Sequence, residues 1–65
     1  MDENMLKWFA FDHLPEQLQK VSKNFYLLAL DIVKKIEPGP ERTVALRKLL
    51  DAKDAAVRAT IHPGS

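Results

Sequence analysis

The 65-residue chain contains no cysteine, and its two histidines lie far apart. A disulfide framework and a thiolate metal site are therefore excluded, and the histidines make a poor zinc site. Charge of one sign is not in excess, since 10 Lys and Arg face 9 Asp and Glu for a net charge of +1, with the signs interspersed. A protein that holds DNA or RNA mainly by neutralising its backbone needs a basic surplus, which is missing here. There is no Gly-rich phosphate loop, no nucleophile–base pair at a recognisable spacing and no pair of carboxylates in an apolar setting. These absences predict a non-enzymatic protein without a cofactor or metal. No apolar run approaches the roughly 20 residues that span a bilayer. The N-terminus lacks the basic start and apolar middle of a signal peptide, so a soluble intracellular protein with no membrane partner is expected.

What is present is helical. The joint Pro38-Gly39-Pro40-Glu41-Arg42-Thr43 separates two long helical patterns and opens the second. Pro38 ends the preceding helix, Gly39 is expected to supply unusual backbone angles for a tight reversal, and Pro40 suits a first helical turn with Glu41 beside it. The joint predicts a helical hairpin with its turn over residues 38–40. It also places Arg42 and Thr43 near free backbone N–H groups, a favourable place for a phosphate, although most such turns are only connections.

Before the hairpin, Met5, Trp8 and Phe9 fall at helical spacing and predict a short helix over about Glu3–Ala10, after an acidic start at Asp2 and Glu3. The aromatic rings there read as packing anchors; the sharper reading leaves Phe11 at a pocket edge to stack on a base. Asp12-His13-Leu14-Pro15-Glu16 reads as a helix start with Asp12 or His13 as cap, and His13 as a capping or surface residue.

The first long helix is expected over residues 15–37. Its seam is read as Leu18, Val21, Phe25, Leu28, Ile32 and Ile36, with a second apolar stripe of Tyr26, Leu27, Leu30 and Val33. Ser22, Lys23 and Asn24 interrupt the pattern, either as a solvated face or as the polar wall of a pocket. The second long helix is expected over residues 40–61, before a tail over 62–65. Its inward side is read as Ala45, Leu49, Ala52, Ala56 and Ala59, with Leu46, Leu50, Val57 and Ile61 as a second line. Arg47, Asp51, Asp54 and Arg58 form a charge ladder in which neighbours can pair, while Arg47 and Arg58 can instead cross an interface and grip a phosphate. One hairpin cannot cover so much apolar surface. A lone core of this size supplies at most roughly 3–5 kcal/mol, so self-association is expected, with any pocket lying between subunits.

From Phe11 onward the chain resembles the small phage proteins that counter the bacterial CBASS defence by sequestering its cyclic nucleotide signal, whose hairpin domain is shared with sponges acting against Thoeris. The resemblance is carried by Phe11-Asp12-His13-Leu14-Pro15-Glu16-Gln17 and by Pro40-Glu41-Arg42-Thr43-Val44-Ala45-Leu46-Arg47-Lys48-Leu49. It continues through Asp51-Ala52-Lys53, Ala55-Ala56 and Arg58-Ala59. It implies an all-α homohexamer of helical hairpins in the cytoplasm of the infected bacterial host. Cyclic dinucleotides would bind between paired subunits and cyclic trinucleotides near a three-fold axis, in both cases without cleavage. Phe11 stands where the family has a base-stacking aromatic, commonly tyrosine; Lys23 is the nearest counterpart of its basic residue, with Tyr26 one turn on. Arg42 and Thr43 match the opening of its last helix, and Ala55 replaces its frequent tryptophan.

The expected ligand-binding set is therefore Phe11, Lys23, Tyr26, Arg42, Thr43, Arg47 and Arg58, with no catalytic or metal-binding residue. The competing reading is a protein-interaction module whose apolar stripe binds a host or virion helix. A small DNA-binding regulator fits neither the charge nor the helix pattern.

Overall fold

All four prolines lie at the ends of helical segments, and the fold follows from where they stand. The computed structural model describes residues 4–64. A 3-10 helix, Asn4–Phe9, forms an N-terminal arm. Helix α1 spans Glu16–Lys35 and helix α2 spans Pro40–Ile61. The expected helix start at Glu3, with Asp2, and the end of the tail at Ser65 lie outside the described residues. The two long helices fold back on each other as a hairpin, and the arm packs against both.

Pro15 takes the position just before α1, with φ −54° and ψ 150°, so α1 begins one residue later than expected. Its carbonyl accepts from the Leu18 and Gln19 amides at 2.9 and 3.0 Å. Asp12 and His13 do not cap α1, which has no side-chain cap. The helix stops at Lys35 because Ile36 is extended, two residues ahead of Pro38. Gly39 corrects another expectation. At φ 173° and ψ 173° its backbone is simply extended, and nothing lies within 4 Å of where a Cβ would stand. The reversal needs no left-handed residue.

The buried apolar residues are Phe9, Leu18, Ala29, Val33 and Leu46. On α1 the seam is thus rotated from the expected stripe. Leu18, Ser22, Ala29 and Val33 face inward, while Leu28 and Ile36 are about half exposed. The physical reason is the arm: the small Ala29 leaves room at the seam, and Phe9 joins Ala29, Val33 and Leu46 there in one apolar cluster. Burying a ring such as Phe9 is worth about 1.5–3 kcal/mol. On α2 the buried pair is Arg42 and Leu46, with Leu49, Lys53 and Ala56 half-buried below them. Ala52 and Ala59, expected inside, are exposed. The seam of α2 thus runs between the two expected lines: Leu46, with the larger apolar area, is buried, Ala45, Leu49, Leu50, Ala56 and Val57 are half-buried, and Ile61 is exposed.

Candidate functional site

Between the arm and α1 the chain crosses residues 10–15 without regular structure, and the candidate site forms there. The Leu14 amide donates to the Phe11 carbonyl at 3.1 Å, closing a turn. This turn presents the Phe11 ring to Tyr26 of α1, with centroids 5.6 Å apart and planes tilted by 57°. Such tilted pairs are favoured by the ring quadrupoles and are worth about 0.5–1.5 kcal/mol beyond their burial. The two rings, with Ala10 and Asp12, line an open hollow of about 330 Å³. Lys23 is exposed and lies three residues before Tyr26, a spacing that puts neighbours on one helix face. Phe11 and Tyr26 are therefore the members of the expected set that the fold brings together, and Lys23 stands one helical turn from Tyr26 without lining the hollow.

Arg42 and Thr43 lie elsewhere. Arg42 is only 7% exposed, and its Nη1 donates to the carbonyls of Ile36 at 2.9 Å and Val33 at 3.3 Å. These carbonyls belong to the last turn of α1 (Val33) and to the extended residue just past it (Ile36), at the negative end of the helix dipole, which attracts a cation. The guanidinium thus joins the end of one helix to the start of the next. Thr43 Oγ1 donates to the Gly39 carbonyl at 3.2 Å, within its own helix. Tyr26 is about 10–15 Å along α1 from Val33 and Ile36, at 1.5 Å per residue. One chain alone cannot bring the aromatic hollow and the Arg42 end to the same small ligand.

Arg47 and Arg58 are exposed on α2. The expected ladder does not close: among the described residues, Arg47, Asp51, Asp54 and Arg58 make no ion pair with one another, whereas Lys35 pairs with Asp31 of α1 at 3.2 Å. Arg58 stands at the arm end of the hairpin, where it lines one hollow with Leu14 and Lys53 and another with Ala55, Ala59 and His62.

No known family model, curated protein or solved structure matches this chain.

Among the described residues no group of His, Asp and Glu could hold a metal ion, and no helix is long and apolar enough to cross a membrane. Two polar side chains that bond to the backbone on either side of Phe11 were not expected. Gln19 Nε2 donates to the Leu14 carbonyl at 2.7 Å and the Asp12 carbonyl at 3.3 Å. Lys53 Nζ donates to the Trp8 carbonyl at 2.9 Å, joining α2 to the arm. The sequence carried a signal for Lys53 only, a charged residue seven positions after Leu46 on the inward register of α2. Ser22, read as solvated or pocket-lining, is fully buried. Its hydroxyl has no hydrogen-bond partner among the described residues.

Proposed function

We propose that this chain is a non-enzymatic sponge that binds cyclic oligonucleotide second messengers and withholds them, uncleaved, from the effectors of the CBASS defence in the infected bacterial cytoplasm. Cyclic dinucleotides are the primary ligands, with cyclic trinucleotides at further sites. The observation that carries the reading is the pair of half-buried rings, Phe11 and Tyr26, at the rim of an open hollow one helical turn from Lys23. A base stacks on such a ring for about 1–3 kcal/mol, and an adjacent ammonium complements its phosphate. The hollow is too open to enclose a dinucleotide, so a second copy completes it. A homohexamer is the assembly implied by the resemblance at Phe11–Gln17 and Pro40–Leu49. Arg47 or Arg58 of a neighbouring copy supplies further phosphate contacts. Arg42 and Thr43 reach a phosphate only by exchanging their present carbonyl partners.

Calorimetry with a panel of cyclic di- and trinucleotides, using linear dinucleotides as controls, tests the proposal. Binding of at least one cyclic member is expected, and its recovery unchanged after denaturation. Tyr26→Ala should weaken that binding by about 1–3 kcal/mol. Indifference to every member at micromolar concentration removes the reading. The second reading, an interaction module for a partner helix, is favoured by one observation: Leu27 and Leu28 are adjacent on α1 and 50% and 49% exposed. It gains if the panel fails while the chain still binds an amphipathic helix.

A further inference from the structure

We infer that Gln19 and Lys53 are positioning residues that hold the Phe11 side of the aromatic hollow in place before any ligand arrives; the consequence for binding rests on the sponge reading above. The segment 10–15 belongs to no helix, and a segment of that kind is ordinarily the most mobile part of a small fold. Here it is held from two directions. Gln19, early in α1, sends its side-chain amide back to the Asp12 and Leu14 carbonyls. Lys53, on α2, holds the Trp8 carbonyl from the other side of the arm.

Phe11 lies between these anchor points, one residue before Asp12 and three after Trp8. Its own carbonyl is taken by the Leu14 amide. The backbone on both sides of the ring is therefore pinned by donors from different helices. Among the described residues Lys53 has no carboxylate within ion-pair distance, although Asp54 follows it directly and lines with it a separate hollow beside Leu14 and Arg58. A lysine whose ammonium is turned to a backbone carbonyl is acting as a strut. The two struts remove loop freedom that ligand binding would otherwise have to remove.

The test uses the full chain with Gln19→Glu, Lys53→Met and Lys53→Arg. Glutamate keeps the shape of glutamine and suits the start of α1, but it has no N–H to donate. Ring-to-ring nuclear Overhauser effects between Phe11 and Tyr26 report the hollow, and the Val33 and Leu46 methyl signals report the core. The effects between the rings should be lost in Gln19→Glu and Lys53→Met, kept in Lys53→Arg, and accompanied by unchanged core signals in all three. If Lys53→Met loses its core signals as well, Gln19→Glu alone decides. Persistence of the ring contact in a folded Gln19→Glu chain overturns the inference. Titration with 3′,3′-cyclic GMP–AMP adds an independent reading: variants that lose the ring contact should bind roughly tenfold more weakly than wild type. Equal affinity despite a lost ring contact also overturns it. If wild type ignores this probe, that weighs against the sponge reading, and the ring effects still decide the positioning role.

Discussion

Two residues show how side-chain chemistry departs from what their types suggest. Arg42 is a cation at the start of a helix, where the dipole of its own helix is unfavourable to it. The end of α1 beside it reverses that balance, because the Val33 and Ile36 carbonyls accept from Arg42 Nη1. Arg42→Met should therefore destabilise the fold by about 1.5–3 kcal/mol, read as a lowered urea midpoint. Arg42→Lys should recover part of the loss, since an ammonium offers a point charge where the guanidinium offers a planar fork. An unchanged midpoint for Arg42→Met would remove the capping role. Ser22 is the opposite case, a buried hydroxyl with no partner among the described residues. Ser22→Ala removes a desolvated polar atom and very little volume, so stability should hold or rise by up to about 1 kcal/mol. A clear fall in melting temperature would reveal a hydrogen bond that the hydroxyl makes in solution.

At the scale of elements, prolines and packing divide the work. Pro15, Pro38 and Pro40 set the ends of α1 and the start of α2 through backbone restrictions that no tertiary contact has to enforce. The link between the helices is extended at Gly39 with open space around it. Gly39→Ala should consequently be tolerated and should stabilise by about 0.4–1 kcal/mol through lost freedom in the unfolded chain. Thermal unfolding checks this, and a loss of stability would mean that the link bends as a tight turn after all. The arm is a single short 3-10 segment and cannot hold itself together. It stays because Phe9 is buried and Lys53 holds the Trp8 carbonyl. That is also why the aromatic hollow is a property of three elements together and not of the loop alone.

The molecule measures 36 × 22 × 15 Å. Two helices and a short arm enclose few side chains, so large apolar ones remain outside: Trp8, Leu27, Leu28, Ile36, Val44 and Ile61 are all exposed. The proposed assembly would cover them with further copies, a device open to a small chain that has no cysteine for a disulfide. Light scattering should give a mass several times the 7.4 kDa of one chain. Leu27→Glu combined with Leu28→Glu should reduce that mass to the single chain while leaving the helical circular dichroism in place. A wild-type chain that stays monomeric at every concentration would end the proposal of intersubunit pockets.

The all-helical hairpin was legible in the linear pattern, since proline placement and helical periodicity are local properties with local causes. Periodicity alone does not say which of two neighbouring apolar stripes turns inward. Both stripes of α1 repeat at the same helical spacing, and the buried face runs between them through Leu18, Ser22, Ala29 and Val33, where Phe9, a residue outside either long helix, packs with Ala29 and Val33. The aromatic character of Phe11 and Tyr26 was likewise visible in advance, whereas their meeting at 5.6 Å depends on where the loop is tied. The role of Arg42 was hidden for the same reason. Its carbonyl partners, six and nine residues earlier in the chain, come within reach only after the helices fold back on each other. Local backbone preferences determined the elements; long-range packing decided which side chains are buried, which are bound, and which are left to meet a partner.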